Sequence, residues 1–302
     1  MENDVTMRQG AAAPQVMTKL EDLNLEDRFL FSEVMEDREA CQAAISILLE
    51  DEIHLLGKPE TEKELRVSPQ LRQVRLDVVG MDDQKKVYYT EMQKRDTKNL
   101  RKRSRLYQAQ LDVSLLGPGI ANFNQLNDSC FILIAPFDMF GKGLYRYTFE
   151  GMCRECPDLP LEDGAVRVFI NTKGRNPEGF SREFLDFMRY ISETTDEAAE
   201  NTESERIKRI HRNVRRVKES ERMGVKYMQA WEEKALERED GRAEGRAEGK
   251  EIGAAENLVK NVEAARKNFK IDLKTACEGL GTTVEEYQRA KEQIKNWSTV
   301  NS

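Results

Sequence analysis

Asp77, Glu91 and Gln93 are the residues of this chain whose types and spacing are best suited to chemistry. They lie in Leu76–Arg95, LDVVGMDDQKKVYYTEMQKR, which reads as two strands joined by a polar turn at Asp82–Lys85. Glu91 and Gln93 are two apart on a strand and share a face. A turn centred on Gln84 sets Asp77 directly opposite Glu91, with Cβ atoms ~4.5–5.5 Å apart. A slip in register would send the two acids to opposite faces. Opposed carboxylates repel, and a cation relieves that repulsion. Mg²⁺ (or Mn²⁺) suits such a pair, because it takes hard oxygen ligands and is often held by only one or two carboxylates. An ion there supplies an activated water and neutralises an anionic transition state, as phosphodiester hydrolysis requires. Gln93 can orient a water or phosphate through its amide but cannot act as a base. The plainer alternative is a solvent-facing hairpin carrying scattered charge.

The stretch that follows is basic. Lys94–Arg105, KRDTKNLRKRSR, holds seven basic residues (Lys94, Arg95, Lys98, Arg101, Lys102, Arg103, Arg105) and one acid. A phosphate backbone approaching the acid pair would meet them; the competing reading is a solvated helix face. The chain as a whole has a net charge of −7, so attraction for nucleic acid must be local.

The elements around this hairpin read as a layered α/β domain over about residues 19–195. Asn24, with Asp27 three residues on, reads as a helix start. Glu39–Leu49 has helical apolar spacing, and the polar run from Gly57 to Lys63 reads as a loop. Leu71–Val79 alternates as a strand, with Val74, Leu76 and Val78 on one face and Asp77 on the other. A helix carrying Leu106, Tyr107, Leu111, Leu115 and Leu116 ends at Gly117-Pro118-Gly119. Cys130–Pro136 is apolar throughout, as expected of a strand covered on both faces. Leu144–Phe149 and Val166–Ile170 read as strands, and Phe180–Ile191 as an amphipathic helix.

Helix, Asp on one strand, Glu-x-Gln on the next, then a basic helix: this order resembles the PD-(D/E)XK nuclease superfamily. It is most similar to the bacterial PD-(D/E)XK family transposases, the recombination-promoting nucleases. The matching segments are Asp27–Phe31, Arg75–Val78, Tyr89–Gln93, Arg103–Gln108 and Phe131–Asp138, and the Gly/Arg/Ala/Glu repeat late in the chain is also similar. The resemblance covers about residues 20–260. It implies a restriction-endonuclease-like mixed sheet flanked by helices and followed by a charged helical C-terminal region. It also implies Mg²⁺-dependent cleavage of DNA in recombination or mobile elements. Asp77 and Glu91 would be metal ligands, and Gln93 would stand where the superfamily pattern has lysine. Leu76 stands where the motif name has proline. Lys94, Arg95, Arg101, Arg103, Arg105 and Gln108 would contact DNA, Arg105 and Gln108 from the helix that lines the site. Glu33 or Glu36 would be the upstream helix acid. The missing lysine keeps a second expectation open, a catalytically silent DNA-binding or protein-interaction module with the same fold.

The flanking segments are less informative. Residues 1–18 read as a disordered tail. Residues 196–257 read as a charged helical linker, in which GRAE, GRAE, GKEI and GAAE put a glycine at every fourth position. Each such glycine costs a helix ~1 kcal/mol relative to alanine. Residues 258–302 read as a small helical segment, with Thr283 and Glu286 forming a capping box. Self-association through this C-terminal region is an open alternative. Cys153 and Cys156 have CxxC spacing, but no second pair or nearby histidine completes a zinc site. Five scattered cysteines, with no secretion signal and no membrane-spanning run, point to the reducing cytoplasm.

Overall fold

Aspartates start the first two helices. Asp27 accepts the Phe29 N–H at 2.9 Å and caps α1, Arg28–Met35; Asp37 accepts the Ala40 N–H at 3.0 Å and caps α2, Arg38–Leu49. The helix start expected at Asn24 therefore falls at Asp27, and Asn24 instead accepts the Thr194 N–H. The computed structural model describes residues 17–65, 74–116, 119 and 121–301. Most of the expected tail (residues 1–16), the first three residues of the expected strand (71–73) and Gly117 and Pro118 lie outside them. The described chain divides into two units, Met1–Tyr227 and Met228–Ser302.

The first unit is built on one six-stranded sheet: β1 Glu60–Leu65, β2 Val74–Met81, β3 Val87–Met92, β4 Ser129–Ala135, β5 Arg146–Phe149 and β6 Ala165–Asn171. The spatial order is β1-β2-β3-β4-β6-β5. The first three strands form an antiparallel meander, β3, β4 and β6 run parallel, and β5 returns antiparallel on the edge. Parallel pairing of β3 with β4 requires a crossover, supplied by α3, Leu100–Leu115. All seven residues of β4 are buried, as its unbroken apolar sequence predicts.

Helices cover both faces. Leu100 and Leu111 of α3 pack with Val74, Leu76, Tyr89, Phe131 and Leu133. On the other face α1 and α2 pack with α4 (Arg182–Ser192) and α6 (Glu205–Lys218), burying Leu30, Ile45, Ile132, Phe184, Phe187, Ile207 and Ile210. Because the α6 apolar stripe completes this core, the unit continues past the boundary expected at residue 195. The short α5, Asp196–Glu200, connects α4 to α6.

β1 was expected as loop. Its sequence, ETEKEL, is almost all polar because it is an edge strand whose Glu60, Glu62 and Glu64 face outward. The alternation expected in β2 also breaks. Val74, Leu76 and Val79 join the core under α3, whereas Val78 joins the opposite core. The change of face falls at Asp77.

α7 runs from Glu221 to Phe269 and includes all four repeat glycines. In the second unit the end of α7, α8 (Leu273–Gly279) and α9 (Val284–Asn301) bury Val262, Ala276, Cys277 and Tyr287. The capping box forms: Glu286 N–H donates to Thr283 Oγ1 at 3.1 Å, and Thr283 N–H donates to Glu286 Oε2 at 2.9 Å.

Candidate active site

Asp82 fixes the hairpin. Its carboxylate accepts the Gln84 and Lys86 N–H groups at 3.0 and 2.8 Å and the Tyr88 hydroxyl at 2.9 Å. Lys85 takes the left-handed conformation (φ 67°) that closes the turn. The pairs Val78–Thr90, Val79–Tyr89, Gly80–Tyr88 and Met81–Val87 are symmetric about Gln84. This is the register that sets Asp77 against Glu91.

At the next level side chains replace the backbone ladder. The Asp77 N–H donates to Glu91 Oε1 at 3.0 Å, and the Met92 N–H donates to Asp77 Oδ2 at 3.0 Å. Each acid thus grips the other's strand. Both are buried, Asp77 completely and Glu91 to 4% exposure. Burial disfavours their charged forms. It raises Asp77 above its ordinary range, against the pull of Arg28 and the Met92 N–H. Burial and the Asp77 charge together raise Glu91 to about 8.

Arg28, the first residue of α1, is the partner that sequence reasoning missed. Its guanidinium forms an ion pair with Asp77 and lies in the field of Glu91 and Glu62. Glu62 of β1 sits beside Asp77 in the sheet register, between the pairs Thr61–Val78 and Lys63–Leu76. It has a left-handed φ of 51° and pairs with Arg75 at 2.9 Å. The segment Asp27–Phe31 carried a signal for Arg28; β1, read as loop, carried none for Glu62.

Gln93 is fully engaged. Its Oε1 accepts from Arg103 Nη2 at 2.5 Å, and its Nε2 donates to the Arg95 carbonyl at 2.6 Å. Arg103 also stacks over the Tyr107 ring, 5.5 Å from its centroid, and its charge favours ionisation of both acids. Asp77, Glu91, Gln93 and Arg103 therefore converge with Arg28.

The other expected residues scatter. Gln108 is a correction: it is buried, with its amide on Ser129 Oγ at 3.2 Å, because its position on α3 faces the sheet. Arg105 lies two residues beyond Arg103, about 200° around the helix, and is exposed on another face. Arg101 donates to the Met139 carbonyl at 2.5 Å and covers Phe140. Glu33 pairs with Lys226 at 2.5 Å and Glu36 with Lys58 at 2.9 Å, and neither bears on the acid pair. Cys153 and Cys156 are free, and the Cys153 thiol donates to Glu155 Oε2 at 3.7 Å.

The cations of the Lys94–Arg105 stretch and of α6 differ in how many are paired. Lys94, Arg95, Lys102 and Arg105 are exposed and have no acidic partner among the described residues. On α6, Arg206, Lys208, Arg209, Arg215 and Arg216 are paired with acids, whereas Arg212 is exposed without an acidic partner among the described residues and Lys218 donates to the Thr194 carbonyl. Uncompensated positive charge thus accompanies the helix beside the acid pair.

Among the described residues, no three His, Cys, Asp or Glu side chains gather to hold a metal ion. Two carboxylates, with Asp77 Oδ1 buried and met by the Arg28 cation, fit an ion such as Mg²⁺ that completes its shell with water and substrate oxygens. Among the same residues no helix is long and apolar enough to cross a membrane. Comparison of the chain with family models, with curated proteins and with solved structures finds no match in any of the three.

Proposed function

We propose that the chain is a metal-dependent DNA endonuclease of the PD-(D/E)XK type, working on phosphodiester bonds in a recombination or mobile-element setting. The observation that carries this reading is the interlocked pair Asp77–Glu91, two buried acids held opposite each other beside a helix with free cations. A buried carboxylate pair is costly to the fold, and a fold that keeps one has a use for the charge. The order of helix, acid strand, Glu-x-Gln strand and basic helix agrees with a restriction-endonuclease-like core.

Asp77 and Glu91 would hold Mg²⁺ or Mn²⁺. The ion, when bound, supplies an activated water and charge neutralisation at the phosphate. Glu91 must give up its proton to serve, so ion binding and deprotonation are linked. Arg103 is held by Gln93 with its charge towards the acids, where it counters charge on a bound phosphate. Lys94, Arg95, Lys102 and Arg105 would contact the flanking backbone.

A second reading, a catalytically silent DNA-binding module, draws on Gln93. Its amide is committed to Arg103 and the Arg95 carbonyl, and it brings no positive charge of its own. Supercoiled plasmid incubated with Mg²⁺ and wild type, Asp77→Ala or Glu91→Ala separates the two. Cleavage by wild type alone supports the nuclease. Equal cleavage by all three refutes the assigned site, and DNA binding without metal-stimulated cleavage selects the silent module.

A further inference from the structure

The two oxygens of Asp77 have different neighbours. Oδ2 accepts the Met92 N–H, whereas Oδ1 meets Arg28 Nε in an ion pair. Arg28 Nη2, also buried, has no acceptor of its own. The contact runs through Nε to one oxygen, without the second, parallel hydrogen bond that makes a bidentate arginine–carboxylate pair strong. It is also lopsided in exposure. The Asp77 side chain is 1% exposed, whereas that of Arg28 is 37% exposed, its Nε and Nη2 buried and the remainder reaching solvent. Arg28 stands at the start of α1, so only its side chain need move.

Asp77 Oδ1 is the oxygen of that residue left for a metal ion, since the strand N–H already holds the other. A guanidinium and a divalent cation on one buried oxygen repel each other strongly. We propose that Arg28 is an internal counter-ion standing in the cation's place at Asp77 Oδ1, so that metal binding and the Arg28–Asp77 contact exclude each other. This rests on the reading of the acid pair as a metal site. It makes Arg28 a positioning residue: in the resting protein it keeps two buried acids compatible with the fold. Once displaced it stays tethered to α1 beside the site, where its planar fork suits a phosphate oxygen of the arriving strand. Metal entry and phosphate capture are thereby coupled through one side chain.

The test is Mn²⁺ binding by the full chain without DNA, by calorimetry at pH 8.5, where protons compete least for the acids. The proteins are wild type, Arg28→Met and Asp77→Asn. Methionine keeps most of the apolar stem and removes the charge. The proposal expects Arg28→Met to bind Mn²⁺ about tenfold more tightly than wild type, and Asp77→Asn to lose binding. Unchanged or weaker binding by Arg28→Met, with binding still lost in Asp77→Asn, makes Arg28 a purely structural ion-pair partner and overturns the proposal alone. No Mn²⁺ binding by any of the three overturns both the proposal and the metal reading. If Arg28→Met does not fold, the arginine Nε–H NMR signals of wild type decide: the Arg28 signal must shift on Mg²⁺ addition, and a stationary signal overturns the proposal.

Discussion

Replacing Glu91 with glutamine should make the protein more stable at high pH while removing its metal response. The Glu91 carboxyl, ordinarily near 4.5, is raised to about 8 by burial and by the Asp77 charge. In the window from about 4.5 to 8 the native state holds a proton that the unfolded chain has released. Native stability therefore falls as pH rises through that window and is level above it. Shifting a carboxyl that far corresponds to roughly 5 kcal/mol once ionised, at 1.36 kcal/mol per pH unit, as an upper bound. The two acids titrate as a pair and share the cost, so about 2–3 kcal/mol is the working expectation. A glutamine Oε1 still accepts the Asp77 N–H, so the strand contact survives. Thermal melts of wild type and Glu91→Gln at pH 5 and pH 9 should differ little at pH 5. At pH 9 the variant should melt ~5–10 °C higher, for a unit of this size. Added Mg²⁺ should raise the wild-type melting temperature at pH 9 and leave the variant unmoved. A variant destabilised equally at both pH values would show that Glu91 is not an electrostatic burden, and the argument from its burial would fail.

Other expectations follow from the cations and from Gln93. Lys102→Ala and Arg105→Ala should each weaken DNA binding and lower the slope of log Kd against log salt by about 1. Arg215→Ala, whose cation is already paired with Glu219, should leave that slope unchanged in the same fluorescence titration. Under the proposed PD-(D/E)XK reading, Gln93→Lys places an ammonium at the pattern's lysine position and should raise Mg²⁺-dependent plasmid nicking by about tenfold. No increase would mean that Arg103 already meets that need or that the chain does not cleave.

The hairpin was legible because its signals are local. A polar turn centred on Gln84 with alternating flanks fixes register, and register alone decides that Asp77 meets Glu91. β4 was legible from its unbroken apolar run and α4 from its period. β1 was not, because an edge strand needs only a thin apolar face and ETEKEL offers little beyond Leu65. The extent of the first unit was also hidden: the α6 stripe of Ile207, Ile210, Val214 and Val217 is diluted by seven cations in fourteen residues. Gln108 was misplaced for a related reason. Its type suggested a polar surface, whereas helical phase from Leu100 and Ser104 points it at the sheet.

Arg28 shows where residue type fails as a guide to electrostatics. Sequence counts the basic stretch after the hairpin as the site's positive charge, yet the cation that contacts Asp77 comes from a helix 49 residues earlier. Of the basic residues in the stretch itself, Arg103 faces the acids, Arg101 is tied to a loop and Lys98 pairs with Asp96. Proximity in sequence sets a supply of charge, and helical phase and ion pairing then decide how much reaches the acids. The free remainder, Lys94, Arg95, Lys102 and Arg105, lies outside the contact with the acid pair. That remainder suits a ligand larger than one phosphate, with charge repeated along its length, and this is the physical ground on which a polynucleotide is proposed rather than a small anion.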